Sequence, residues 1–190
     1  MKIILGSQSA GRKKMLEEMG YEFEVMSADI DEKTIRNNDP KELVLDLAKA
    51  KAEALKSKIH EPAILITSDQ VVVCNGEILE KPANAEEARR YLEGYENFPA
   101  ETITAVVVTN LSNGKQVSEV DIATTYFDPF NNEEIDELVN YDKVYTWAGG
   151  YDVDDEKFVS HIKKIDGTRD STMGLPKDLT KILINKVSGK

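Results

Sequence analysis

The chain has 190 residues, 31% of them charged and 41% apolar, and 24 Lys plus Arg against 35 Asp plus Glu leave a formal net charge of −11. This is the composition of a single globular domain over 1–190, without linker, repeat or low-complexity tract, and it excludes an intrinsically disordered chain. The negative balance excludes DNA or RNA as a partner away from a local basic patch, while a small polyphosphate, bridged to carboxylates by a divalent metal, remains open.

Residues 2–5 read as a first strand and 9–19 as a helix that Gly20 ends. Between them the chain passes through Gly6, Ser7, Ser9 and Gly11 into Arg12. A strand that ends in small residues and opens a helix leaves backbone N–H groups pointing outward, and hydroxyls and a guanidinium reinforce them here, which suits a phosphate. The same residues also fit a plain helix start, with Ser9 as cap and Met15, Leu16 and Met19 packed inward. Phe23 to Ala28 reads as a second strand. It leads into the acidic turn ADIDE, where Asp29, Asp31 and Glu32 offer either hard oxygen ligands for a divalent ion or a solvated turn.

A helix from Pro40 to about Lys58 follows, with Asp39 at its cap and Glu42 as capping-box partner. At about 100° per residue, Lys51 falls in the middle of the stripe made by Leu43, Val44, Leu47, Ala48, Ala54 and Leu55. A buried ammonium must snorkel out or meet an anion, and both a structural carboxylate and a ligand fit. The apolar runs 63–67 and 71–74 flank Ser68-Asp69-Gln70, and Asn75-Gly76 turns a hairpin. Asp69 either marks a strand-end bulge or sits beside cations and a metal-bound phosphate, where it deprotonates a water. Lys81-Pro82 holds a cation on a stiff turn.

Asn84 and Glu87 sign a helix closed by Gly94, and 102–110 with 117–127 read as a long antiparallel hairpin. Short helices near 132–140 and 176–187 complete the chain. The predicted fold is α/β, with a mixed, partly antiparallel central sheet flanked by helices. His60 and His161 stand apart in sequence and take no role. Tyr145, Trp147 and Tyr151 suit base stacking or core packing, and packing is the expected use of at least two. The single Cys74 can form no internal disulfide, there is no zinc spacing, and neither a signal-peptide pattern nor a window of transmembrane length occurs, so a cytoplasmic protein away from membranes is expected.

Taken in order, several of these stretches match one set of motifs. They are Ser7-Gln8-Ser9-Ala10-Gly11-Arg12 with Leu16, Ile30-Asp31-Glu32, Leu47-Ala48-Lys49-Ala50-Lys51-Ala52, Asp69-Gln70-Val71, Lys81-Pro82, Ala148-Gly149-Gly150-Tyr151 and Gly174-Leu175-Pro176. In their order and spacing the chain resembles the Maf family of nucleoside triphosphate pyrophosphatases, which share a superfamily with inosine-triphosphate pyrophosphatases. The resemblance implies two lobes with an intervening cleft, and hydrolysis between the α- and β-phosphates of a nucleoside triphosphate to give a monophosphate and pyrophosphate. It implies Asp69 as general base, Ser7, Ser9, Arg12, Lys51 and Lys81 as substrate-binding residues, Glu32 with Asp69 as ligands of Mg2+ or Mn2+, and a homodimer of the kind common in the family.

Substrate choice in the family follows the positions of Gly11, Gln70 and Asp154. Enzymes acting on dTTP and UTP tend to carry Arg, Thr and Gln there, and the 7-methyl-GTP type an aromatic residue, Gln and Glu. Gln70 matches the second group, Asp154 approximates its acid, and Gly11 matches neither, which implies 7-methyl-GTP before dTTP or UTP. Asp154 also fits a solvated acidic loop with Asp152 and Asp155. A nucleotide-binding regulator of cell division that does not hydrolyse its ligand, and a scaffold whose Lys51 only satisfies internal partners, are the readings of other classes.

Overall fold

The computed structural model describes residues 2–189. In chain order the elements are β1 (Lys2–Leu5), α1 (Ala10–Glu18), β2 (Phe23–Val25), α2 (Pro40–Lys56), β3 (Ala63–Cys74), β4 (Glu77–Leu79), α3 (Ala85–Gly94), β5 (Ala100–Asn110), β6 (Gln116–Phe127), α4 (Asn132–Val139), α5 (Glu156–Val159), β7 (Ile162–Asp166), α6 (Arg169–Thr172) and α7 (Lys177–Ser188). The strands form a mixed sheet of order β2-β1-β3-β5-β6-β7, with β4 on β3, and the predicted α/β class holds.

The chain divides into two compact units, one made of the residues through Asp69, Thr104–Asp121 and the segment from Met173, the other of Gln70–Ile103 and Ile122–Thr172. In the first unit β1 runs parallel to both β2 and β3, with Ile3 opposite Phe23 and Ile4 opposite Leu65. Parallel strands covered on both faces need continuous apolar runs, which is what Ile3, Ile4, Leu5 and Ala63 to Ile66 supply. On one face of the sheet, Met15 and Leu16 of α1, Val106 and Val108 of β5, and Leu183, Ile184 and Val187 of α7 join Ile3, Leu5, Ile64 and Ile66 in one core.

In the second unit β4 returns antiparallel along β3 through Asn75 and Gly76, whose φ values of +50° and +77° suit a two-residue hairpin turn. β7 pairs antiparallel with β6, Thr125 opposite Ile165. Its core is aromatic: the ring centroids of Tyr95 and Tyr151 each lie 5.1 Å from that of Phe127. Buried phenols need partners, and here Tyr95 donates to the Gly149 carbonyl at 2.7 Å while Tyr151 shares a 3.0 Å bond with Thr102.

Several local expectations are corrected. β2 stops at Val25 rather than Ala28, because its partner β1 ends at Leu5. Asp39 caps α2 by accepting from the Lys41 amide at 2.8 Å, but its own amide goes to Asn37 Oδ1 at 3.1 Å, so Glu42 completes no capping box. The chain does form that device at Asn131 and Glu134. Gly94 has no left-handed φ, and α3 is capped by Tyr95. Strand β7, with the sequence IKKID, and the four-residue helices α5 and α6 were not predicted, since each is too short and too charged to carry a periodic signal.

Candidate active site

In the first unit, the loop after β1 is held close to the sheet: the Gly6 amide donates to the Ile66 carbonyl at 2.8 Å. A Cβ at Gly6 would lie 2.6 Å from both Leu55 Cδ1 and Thr67 Cγ2, so only glycine permits this approach. Ser9 then caps α1 by accepting from the Arg12 amide at 3.4 Å. Helix α1 turns Arg12 inward, where the side chain is buried and extensively bonded. Its Nη1 donates to the Ser68 carbonyl at 2.8 Å and to Ser7 Oγ at 3.2 Å, and its Nε donates to the Gly174 carbonyl at 3.1 Å. Burial pulls the guanidinium down from its ordinary pKa, and the nearby Asp69 and Glu32 carboxylates oppose this.

Asp69 is not at a strand end. It sits within β3, which runs unbroken from Ala63 to Cys74, and is 8% exposed. The strand around it is tied down by its hydroxyls: Thr67 Oγ1 donates to the Ala48 carbonyl and Ser68 Oγ to the Gly174 carbonyl, both at 2.8 Å. Lys51 is buried on the apolar face of α2 with Leu47, Ala48 and Leu55, as the helical spacing predicts. Its ammonium is paired with Asp69 Oδ1 and lies 2.8 Å from Glu32 Oε1. Burial raises the Asp69 carboxyl above the usual carboxylate range, and the Lys51 and Arg12 charges hold it partly down. The first unit thus gathers Ser7, Ser9, Arg12, Glu32, Lys51 and Asp69 into one cluster with two cations and two carboxylates.

The acidic turn resolves into distinct roles. Asp31 caps a short 3-10 turn by accepting from the Lys33 amide at 3.1 Å, whereas Glu32 reaches Lys51. Among the described residues no three His, Cys, Asp or Glu side chains converge on one point as in a closed metal centre. Glu32 and Asp69 nevertheless make a donor set of two hard carboxylates facing one shared cation, and this fits a divalent ion that completes its shell with phosphate and water oxygens.

Gly11 lies on α1, where a Cβ would come 3.1 Å from both Met173 Cε and the Met173 carbonyl oxygen. A larger side chain there would have to displace Met173, which accounts for glycine at this position. The other predicted residues belong to the second unit. Lys81 is exposed on the segment after β4, next to buried Pro82, and the preceding Glu80 carbonyl accepts from the Gly149 amide at 3.0 Å. Gln70 Nε2 donates to the Thr172 carbonyl at 3.4 Å, and Asp154 is paired through both carboxylate oxygens with Arg169. Asp154 is therefore no freely solvated loop acid. Tyr151 is buried, Trp147 packs edge-on against Phe158, and Tyr145 donates to the Val139 carbonyl at 2.6 Å, so all three aromatic residues serve the fold.

Three participants escaped the sequence reading. The Gly174 carbonyl receives both Arg12 and Ser68, the Ser68 carbonyl receives Arg12, and Arg169 holds Asp154. Ser68 was visible within the polar triplet of an apolar strand. The carbonyl acceptors carry no side-chain signal at all.

Comparison with known proteins shows the family to which the chain belongs. The profile of the family described as Maf-like protein matches residues 2–187, and the chain belongs to the Maf family. It is 45% identical, over 98% of its length and 97% of the relative's, to a 7-methyl-GTP pyrophosphatase of Dictyostelium discoideum. It is 34% identical, over 97% of both chains, to a dTTP/UTP pyrophosphatase of Bdellovibrio bacteriovorus (strain ATCC 15356 / DSM 50701 / NCIMB 9529 / HD100). A nucleoside triphosphate pyrophosphatase of Synechococcus sp. (strain JA-3-3Ab) is 32% identical over 97% of this chain and 93% of its own.

Proposed function

We propose that the protein is a nucleoside triphosphate pyrophosphatase that hydrolyses the α–β phosphoanhydride, with 7-methyl-GTP as its preferred substrate. The activity is supported by membership of the Maf family and by pyrophosphatase relatives matched over nearly their whole length. The observation that carries the mechanism is the buried Asp69 set between Lys51 and Arg12 with Glu32 alongside. Such a cluster is costly as scaffold, because two cations and the Asp69 carboxylate must be desolvated, and it is useful for holding a polyphosphate.

In this reading Asp69 accepts a proton from water as the water oxygen forms its bond to the α-phosphorus. The bond from that phosphorus to the bridging oxygen breaks, and pyrophosphate leaves with the electron pair. A raised carboxyl pKa makes Asp69 a stronger base than a solvent-exposed aspartate. Arg12, with Ser7 and Ser9 at the opening of α1, and Lys51 and Lys81 offset the charge that moves onto the leaving group. Glu32 and Asp69 would hold Mg2+ or Mn2+, which supplies charge neutralisation on the phosphates. When phosphate arrives, the Lys51 ammonium exchanges part of its carboxylate pairing for phosphate oxygens. Gln70 and Asp154 select the base, and the glycine at position 11 lets α1 lie close against Met173. The same reading carries a cytoplasmic homodimer, on the family resemblance.

The test is incubation of the purified protein with magnesium or manganese and a panel of 7-methyl-GTP, GTP, UTP, dTTP, CTP and ITP, with products separated chromatographically. Monophosphate and pyrophosphate are expected, with 7-methyl-GTP consumed fastest. Asp69→Asn should lose about 10²–10⁴-fold in kcat, the range expected of a general base. Tight nucleotide binding without turnover would favour a regulator instead, and hydrolysis undiminished in Asp69→Asn would remove the role given to Asp69.

A further inference from the structure

Helix α6 is only four residues long, yet both ends of it hold a residue of the second unit to which base selection has been assigned. At its start, Arg169 donates from Nε to Asp154 Oδ1 and from Nη2 to Asp154 Oδ2, a two-point fork onto one carboxylate. At its end, the Thr172 carbonyl accepts Gln70 Nε2 at 3.4 Å. Within the helix, Thr172 Oγ1 donates to the Arg169 carbonyl at 2.6 Å, so the two ends are joined directly. The helix is well anchored. Ser171 and Thr172 are buried, and the Ser171 amide donates to the Thr168 carbonyl at 3.1 Å. The turn before it is constrained too: Gly167 has a φ of +110°, and a Cβ there would stand 2.9 Å from Ala123 Cβ.

We propose that Arg169 is the positioning residue for base selection: it fixes the plane of the Asp154 carboxylate and, through α6, its distance from Gln70. This rests on the reading in which Gln70 and Asp154 choose the base. The two-point fork matters because a planar guanidinium sets both the position and the rotation of a carboxylate, whereas a lysine sets only a charge nearby. Rotation decides selectivity. The guanine edge offers two adjacent donors, N1–H and the N2 amino group, while uracil offers one N–H between two carbonyl acceptors. The fork occupies the facing lone pairs of both oxygens, so an outer lone pair held in the same plane accepts a guanine donor and meets a uracil carbonyl as a repulsive neighbour; a swivelling carboxylate adapts to either.

The experiment compares kcat/KM for 7-methyl-GTP and for UTP in the parent, Arg169→Ala, Arg169→Lys, Asp154→Ala and the Arg169→Ala/Asp154→Ala double variant. Arg169→Ala should lower the 7-methyl-GTP/UTP ratio by about tenfold or more, the scale expected when a polar contact to substrate is lost, mainly through KM for 7-methyl-GTP. The double variant should lose no more than Asp154→Ala alone, because Arg169 acts through that carboxylate. Arg169→Lys, which keeps the charge without the fork, should recover only part of the ratio, and it gives the answer if Arg169→Ala does not fold. An unchanged ratio in both Arg169 variants, with Asp154→Ala lowering it, overturns this inference and leaves the pyrophosphatase reading standing. Fully additive losses also overturn it, as does an Asp154→Ala variant that keeps the parent's ratio. A parent that hydrolyses no triphosphate fails earlier and removes both readings.

Discussion

At the scale of single residues, the environment of Asp69 makes a definite statement about pH. Its carboxyl is raised by burial and held partly down by Lys51 and then Arg12. As a base it must be ionised, so activity should fall as pH drops through this raised pKa, and the acid limb of kcat/KM should lie above the ordinary aspartate value of about 3.9. A pH–rate profile checks this, and a limb at or below that value would contradict it. Lys51→Met removes the strongest of the influences holding the carboxyl down. Asp69 should then titrate at still higher pH, readable by carboxyl carbon NMR against the parent. Cys74 makes a contrasting case. It is buried, its thiol lies 3.7 Å from the Phe98 carbonyl, and burial together with Glu77 pushes its pKa up. Since the thiolate is the reactive form, the native protein should react with iodoacetamide more slowly than its urea-unfolded form at the same pH.

At the scale of elements, the connection that follows Trp147 braces the loop carrying Lys81. Gly149 donates its amide to the Glu80 carbonyl and offers its own carbonyl to buried Tyr95. It does so at a φ of +70°, and a Cβ would lie 2.6 Å from Tyr95 Oη and 2.9 Å from Val72 Cγ1. Gly149→Ala should therefore cost about 1–3 kcal/mol from backbone strain and overpacking, seen as a lower urea midpoint at unchanged slope. A midpoint equal to the parent's would mean that the turn relaxes freely. The long elements were legible from sequence because their signals are strong: the capped, periodic α2, the apolar β3, and the Asn75-Gly76 hairpin. Elements α5, α6 and β7 were not, because four or five residues such as IKKID carry no period, and their stability comes from what they touch.

At the scale of the whole molecule, three strands run from one compact unit into the other: β3 passes at Asp69–Gln70, β5 at Ile103–Thr104 and β6 at Asp121–Ile122. Since each unit is assembled from separate stretches of chain that these strands link, one cooperative unfolding transition is expected. The single Trp147 lies in the second unit and reports on it alone, whereas far-ultraviolet circular dichroism reports on both. The two probes should give coincident urea transitions, and separated midpoints would mean that the units unfold independently. Among the described residues no helix is long and apolar enough to cross a membrane.

The sequence by itself determined the α/β class, most long elements, the family motifs and the physical problem posed by Lys51, a lysine on an apolar stripe that needs an anion. Periodicity and motif order are local properties and survive without a structure. Which anion answers Lys51 was decided only in three dimensions, where the sheet and α2 bring Asp69, 18 residues away, to its ammonium, and the turn before α2 supplies Glu32 rather than Asp29 or Asp31. The same holds for Arg12, whose acceptors include a carbonyl 162 residues away, and for Arg169 on Asp154. Long-range polar pairing depends on strand register and helix packing, and backbone acceptors are alike at every residue, so no local pattern of side chains announces them.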